Sequence, residues 1–419
     1  MKILLVTSRY PWPPRRGDQI RAVQVLDILA AGHEVTLLTP EPGAADAAAP
    51  SPAAAPYRVE YYRPVRSALL AGMARVLARG LPLQSALFYQ PDLGRRLHEL
   101  APQADLGILQ LVRLAVHLDD FGATTILADL IDSLALNTAR RAEVDHPLLR
   151  PALRYEAHRL AQAERRLAER AAGVLLVCER DRQDLISRLP PELGSKVSVV
   201  RVAVGPLPLA PSPVRSTHPS TPNGRGGNEA GPLLAITGNL GYFVNVDAVT
   251  WWLRDVWPSL HKVRPDLRVV IAGDRPAAAV RRAVARAGVD LIESPPDLRS
   301  LIASATLSLA PMRCGSGVPI KILEAWAVGT PVVASSWAAA GTTGRPGEDF
   351  LVAGSHPAEW ASAIRELLDD PAARQRLAES GRRRLAADYS TEVVRGQLLG
   401  AVEDEDVVLP RAPGRGPRR

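Results

Sequence analysis

The chain has 419 residues, 47% of them hydrophobic and 23% charged, with a formal charge of +7. That is enough for two domains of ordinary size and too apolar for a disordered polymer. The basic residues are spread along the chain without a cluster interleaved with aromatics. This argues against nucleic-acid binding and leaves an anionic substrate or membrane surface to meet the excess charge.

Arginine supplies most of that charge, because Lys2, Lys196, Lys262 and Lys321 are the only lysines among 51 basic residues. Cys178 and Cys314 fit a reducing compartment better than a disulfide scaffold. The opening MKILLVTSRYPWPP lacks the charged start and long apolar centre of a signal peptide. No apolar run reaches the ~20 residues of a membrane span. These features predict a cytoplasmic protein, with peripheral contact on the inner face of a membrane left open.

KILLVTS (residues 2–8) reads as a buried strand, followed by the Pro/Gly loop PWPPRRGDQ. A helix comes next, with Ile20, Val23, Leu26 and Leu29 expected on its inner face. EVTLLTP (34–40) completes a βαβ unit and implies a parallel sheet. Residues 43–56 read as an Ala/Pro-rich loop, and residues 57–90 mix aromatics, arginines and apolar residues. That stretch either packs inside the N-terminal domain or forms an interfacial patch. DLGILQL, TTILADLID, GVLLVCE and KVSVVRVAV are further strands, with a long charged helix over 154–170.

Composition changes over 206–232, which is rich in Pro, Gly, Ser and Thr and reads as a flexible linker. The alternation then restarts. LLAITGN, LRVVIAG, VDLIES, TLSLAPM and PVVASS are strands separated by helical patterns. The expected fold is α/β: two doubly wound Rossmann-like domains, 1–205 on the acceptor side and 233–385 on the nucleotide side. A terminal helix over 386–402 could cross back to the first domain, and 403–419 forms a disordered tail.

Residues 311–335, PMRCGSGVPIKILEAWAVGTPVVAS, carry the strongest chemical signal. A glycine turn runs into a helix that holds Lys321 and Glu324, and a strand follows. Helix N-termini present unpaired N–H groups and partial positive charge to a diphosphate. Small residues let the backbone approach, a lysine adds a full charge, and a carboxylate one turn on can accept two ribose hydroxyl bonds. Gly315 and Gly317 also read as plain turn residues.

This segment resembles the P-x-x-E-A-x-A-x-G-x-P-V-V-A run of the GT-B-fold glycosyltransferases of family 4, which are retaining enzymes that use nucleotide sugars. SRYPWPPRRGDQIRAVQVL looks like their opening glycine loop and first helix. GNLGYFVNVDAVTWW is similar to a variant found in a polysaccharide-associated branch. The resemblance implies a retaining hexosyltransferase that needs no metal, with UDP as the likeliest donor nucleotide by family habit. It implies that Glu324 binds ribose and that the backbone of Gly315, Ser316 and Gly317 faces the diphosphate. Lys321 and Arg313 would supply charge. Gly17 would let the N-terminal loop approach, with Arg16 as an alternative phosphate contact.

The chain departs from that pattern in places. The first glutamate of the E-x7-E motif falls on Ser316. The Arg and Lys that usually follow the first strand of the second domain are missing, and that stretch offers Asn239, Tyr242 and Asn245 instead. A His-Asp pair is replaced by Ile131-Asp132. Asp129 and Asp132, at a strand end, are candidates for catalysis or for helix capping. Trp251, Trp252 and Trp257 read as packing residues. The histidines show no ligand spacing, and the D-x-D formed by Asp404 and Asp406 lies in the tail. The expected acceptor is a glycan, a lipid-linked or a small-molecule hydroxyl. A sugar-nucleotide 2-epimerase and a non-catalytic sugar-nucleotide-binding protein remain alternatives. A dehydrogenase is disfavoured because no G-x-G-x-x-G follows the first strand.

Overall fold

The computed structural model describes residues 1–14, 16–43, 56–65, 67–205, 231–404 and 407. Arg15, most of the Ala/Pro-rich loop, the linker from 206 to 230 and the tail beyond Asp404, Val407 excepted, lie outside those residues. The chain divides into two compact units. The first comprises Met1–Ala203, Gly315–Gly317 and Glu392–Arg419, and the second Val204–Cys314 and Val318–Thr391.

The first unit is built on β1 (Lys2–Val6), β2 (Glu34–Pro40), β3 (Arg58–Tyr62), β4 (Leu106–Gln110), β5 (Ile126–Ile131), β6 (Gly173–Leu176) and β7 (Val197–Val199). They form one parallel sheet in the order β3-β2-β1-β4-β5-β6-β7. β4 and β5 are buried along their whole length, as expected of parallel strands covered on both faces. The period of two sorts their side chains. Leu4, Val6, Leu109 and Ala128 join one apolar cluster, while Ile3, Leu5, Ile108 and Leu127 join another. The second cluster is completed by Val394, Leu398 and Val402, from the helix Thr391–Val402. That helix starts at Thr391 rather than 386, because the preceding helix, Pro371–Tyr389, runs on to Tyr389.

The second unit contains β8 (Leu233–Thr237), β9 (Arg268–Gly273), β10 (Asp290–Glu293), β11 (Leu307–Ala310), β12 (Val332–Ser335) and β13 (Leu351–Ala353). The sheet is parallel, in the order β10-β9-β8-β11-β12-β13. The order reverses between β1 and β4 in one sheet and between β8 and β11 in the other. Such switch points open a crevice at the carboxyl ends of the strands, where ligands of doubly wound sheets bind. Trp252, Trp257 and Trp360 fill the core against Ile236, Ile271 and Leu309, in keeping with the packing role expected of the helix tryptophans. The helix that carries Trp252 and Trp257 loosens into a π-turn over Trp252–Val256 just before Pro258. A proline ring clashes with the carbonyl four residues back, and a wider turn relieves that clash.

Two local expectations change. The first helix, Gly17–Leu29, buries Arg21, Ala22, Val25, Leu26, Ile28 and Leu29, so its inner face is rotated away from Ile20 and Val23. Arg21 goes inward because Asp129 waits there. Residues 57–90 form β3, the helix Ala68–Arg79 and the turn Leu83–Phe88.

Candidate functional site

In the second unit the site is built from two strand ends and two helix starts. Lys321 stands in the first turn of the helix Ile320–Val328 and is only 8% exposed. Its Nζ donates to Asn245 Oδ1 at 2.8 Å. Asn245 lies in the first turn of the helix Phe243–Trp251, and its Nδ2 donates to the Asn239 carbonyl at 3.0 Å. That second bond fixes the amide so that its oxygen faces the lysine. Gly238, just past β8, completes the group. A Cβ there would sit 3.0 Å from Asn245 Nδ2 and 3.2 Å from Lys321 Nζ, and its φ is +143°. Gly273, at the end of β9, is as constrained, since a Cβ on it would meet the Gly238 carbonyl oxygen at 1.7 Å.

Burial lowers the Lys321 ammonium to a pKa of about 8, against the weaker pull of Glu324. Glu324, one turn along the same helix and partly buried, is pushed up by burial, while Arg299 and Lys321 hold it down. A buried ammonium that bonds to an amide oxygen, at a helix N-terminus, keeps its charge for an incoming anion. Arg313 does not share that freedom. Its guanidinium makes two bonds to the Asp247 carboxylate and lies 5.4 Å over the Trp251 ring. Its charge is already compensated by Asp247, which counts against the phosphate role expected of it.

Gly315–Gly317 group with the first unit. The Ser316 hydroxyl donates to the Asp132 carboxylate. The Gly317 N–H, expected to face a diphosphate, donates to Asp181 Oδ2 at 2.8 Å, and the Gly317 carbonyl accepts from Arg180 Nη2 at 3.1 Å. These bonds spend the Gly317 amide within the protein. Both flanking glycines adopt positive φ, +112° at Gly315 and +69° at Gly317, which answers the conformational demand of the turn.

Asp132 follows β5 at a strained point. Ile131 has φ +65°, which a β-branched residue adopts only under constraint, and the β5–β6 register slips between Asp129 and Ile131. Burial raises the Asp132 carboxyl to about 6; the Ser316 hydroxyl and Arg113 oppose this, and Asp181 and Asp18 add to it. Asp129, three residues earlier, is fully buried and accepts from Arg21 Nε at 3.0 Å. Sealed and paired in this way, it cannot reach a substrate, and its expected catalytic role gives way to a structural one. Gly17 and Arg16 open the helix Gly17–Leu29, where Gly17 has open space around its Cβ position and the Arg16 N–H donates to Gln19 Oε1 at 3.2 Å.

Sequence reasoning missed Asp181 and Gly238. Asp181 receives the N–H of Ser133 at 3.0 Å as well as that of Gly317. Its place just after β6, within CERD, was the available signal. His117 was also passed over. It is buried, bonds Asp120 Oδ2 at 2.6 Å, accepts the Gln90 N–H and stacks on Tyr89, so both ring nitrogens serve the fold. Among the described residues no group of His, Cys, Asp and Glu could hold a metal ion, and no helix is long and apolar enough to cross a membrane.

Comparison with known proteins bears on this geometry. Residues 231–370 match the family model described as Glycosyl transferases group 1. A GDP-mannose-dependent phosphatidylinositol monomannoside mannosyltransferase of Corynebacterium glutamicum is 28% identical over 160 residues, which is 35% of this chain and 42% of that protein. The structure of Anabaena Alr3699/HepE in complex with UDP-glucose superposes with a TM-score of 0.66 at 13% identity, over 96% of this chain and 99% of that one. Sucrose-phosphate synthase from Thermosynechococcus elongatus does so with a TM-score of 0.66 at 16% identity, over 95% and 97%. The match to the group 1 glycosyltransferase model falls within the second unit, Gly315–Gly317 excepted. The fold is the expected GT-B class, α/β with two doubly wound Rossmann-like sheets.

Proposed function

We infer that the protein is a retaining hexosyltransferase of the family 4 kind. It moves a sugar from a nucleoside diphosphate sugar, UDP-linked in this reading, to the hydroxyl of a glycan, lipid-linked or small-molecule acceptor. The observation that carries the reading is the buried Lys321 ammonium, held by Asn245 at a helix N-terminus and crowded by Gly238. The group 1 match over 231–370 and the UDP-glucose bound by a structural neighbour support a sugar nucleotide as the anion. Residues 1–205 serve as the acceptor-side domain and 233–385 as the donor-side domain.

In this scheme the bond between the anomeric carbon and the phosphate oxygen breaks, and its electron pair stays on the diphosphate. The acceptor oxygen bonds to the same face of that carbon, and its proton passes to the departing phosphate oxygen. Lys321 and the N–H groups at the start of Ile320–Val328 offset the charge that grows on the leaving group, as fixed donors do in other charge-separating reactions. A cation already in place makes a metal ion unnecessary. Glu324 accepts the ribose hydroxyls, and Asp132 faces the acceptor side.

Calorimetry with UDP, GDP and UDP-glucose in the presence of EDTA tests this reading. Binding should occur without metal and fall at least about tenfold in Lys321→Ala. Absence of binding by either nucleotide at millimolar concentration, or unchanged binding by that variant, would end it.

A further inference from the structure

The outward face of the helix Ala68–Arg79 is apolar up to its last position. Its exposed residues are Leu69, Leu70, Ala71, Ala74, Leu77, Ala78 and, at the last position, Arg79. Leu70 is 82% exposed and Leu77 61%. The opposite face buries Ala68, Gly72 and Val76. The helix's two arginines, Arg75 and Arg79, pair with Asp120 and Asp119, and a helix that instead presents leucines to water does so for a reason, because surface helices ordinarily turn charge outward. The turn Leu83–Phe88 extends the same surface, with Leu87 63% exposed. Helix and turn form one rigid platform, since a Cβ on Gly72 would meet the Ala86 carbonyl oxygen at 2.5 Å.

The rim of this platform is basic. Arg159 and Arg166, from the helix Arg150–Arg170, bring their guanidinium nitrogens within 3.5 Å of the Cβ position of Gly80, at the end of the apolar helix. Their recorded bonds go to carbonyls, Arg159 Nε to Leu81 at 3.4 Å and Arg166 Nη1 to Arg79 at 2.6 Å. Neither forms an ion pair among the described residues. The nearby acids are engaged: Asp119 pairs with Arg79, Asp120 with Arg75, and Glu156 accepts the N–H groups of Leu83 and Gln84.

We propose that this platform docks on an anionic lipid bilayer, with Leu70, Leu77 and Leu87 entering the headgroup and acyl boundary and Arg159 and Arg166 meeting lipid phosphates. Apolar area buried at the interface and attraction to anionic lipid add in such helices. The basic rim decides against a second copy of the chain as occupant. A two-fold dimer through the same patch would set the arginines of one rim against those of the other. The docking stands apart from the glycosyltransferase reading, because it needs neither donor nor acceptor.

The test is co-sedimentation of the full-length protein with vesicles, without nucleotide. One set is phosphatidylcholine alone and the other phosphatidylcholine mixed with phosphatidylglycerol. The protein should pellet with the anionic vesicles and be released by salt. The double variant Leu70→Glu/Leu77→Glu should lose about tenfold or more of that binding. Its Tm and its UDP binding should match the wild type, since both leucines point to solvent. The milder pair Leu70→Ser/Leu77→Ser should fall in between. Wild-type protein that stays in the supernatant with both vesicle types would overturn the proposal, as would a double variant that still pellets fully. Sedimentation equilibrium showing a dimer that the double variant dissolves, without vesicle binding, would assign the patch to self-association instead.

Discussion

Lys321 Nζ and Asn245 Oδ1 meet at 2.8 Å, and Asn245 is in turn tied to the Asn239 carbonyl. The amide aims the ammonium without neutralising it. An aspartate at 245 would hold the lysine more tightly and cancel the charge that a diphosphate needs.

That relationship makes nucleotide affinity depend on pH. Lys321 titrates at about 8, and a bound diphosphate favours its charged form. UDP should therefore bind best below about pH 8 and more weakly as the pH rises through that value, with proton uptake on binding above it. Calorimetry in two buffers of different ionisation enthalpy reads the uptake directly. Asn245→Ala should cost about 1–2 kcal/mol of UDP binding, roughly tenfold. In Asn245→Asp the new carboxylate should raise the lysine and move the fall in binding to higher pH. A flat profile between about pH 7 and 9.5 would show that the ammonium is not what the nucleotide meets.

Asp132 should trade stability for its position. Burial raises its folded pKa to about 6, above the ordinary value of 3.8. The folded protein therefore binds more protons than the unfolded chain between those values, and stability is lost as the pH rises from about 4 through 6. Asp132→Asn does not titrate and keeps an acceptor for Ser316. It should raise the unfolding free energy at pH 7.5 by an amount on the order of 1–3 kcal/mol, seen as a higher Tm, and give no gain near pH 4, while transfer activity falls. Equal Tm values for variant and wild type at both pH values would mean that the carboxylate is not strained by its surroundings.

The Arg21–Asp129 pair should behave as a purely structural element. Both side chains are buried, and Arg21 also donates to the Arg201 carbonyl at 2.8 Å. Removal of one partner leaves an uncompensated charge, so Asp129→Ala should cost about 3–5 kcal/mol in denaturant unfolding. UDP affinity of the folded fraction should not change, because Lys321 and Glu324, the proposed nucleotide contacts, lie in the other unit. A variant that unfolds like the wild type but loses turnover would restore Asp129 to the chemistry.

Much of this was legible because local patterns agreed with the fold. KILLVTS and PVVAS are apolar, β-branched and bounded by turn residues, and both are interior strands of their sheets. Lys321 and Glu324 announced themselves through the glycine turn before them and the strand after. What escaped notice depended on distant partners. Nothing near Asp129 shows that Arg21, 108 positions away, would claim it, and nothing near Ser316 points to Asp132, 184 positions away. Arg313 looked free because its partner Asp247 lies 66 positions earlier, in the helix Phe243–Trp251. Residues 57–90 resisted reading for a different reason. Periodicity locates an inner face by contrast with a polar outer one, and the helix Ala68–Arg79 inverts that contrast, pairing Arg75 and Arg79 with Asp120 and Asp119 while Leu70 and Leu77 face out.

The helix Thr391–Val402 carries a lesson about synthesis. Val394, Leu398 and Val402 cover the same flank of the first sheet as Ile3 and Leu5. Ile3 and Leu5 thus wait for Val394 and Leu398 to be synthesised, a delay of roughly 20–80 s at usual elongation rates. Through that interval the part of that flank beyond Val25, Leu26 and Leu29 stays exposed and sticky, a natural client for a holding chaperone. Premature termination before residue 391 would leave it bare for good.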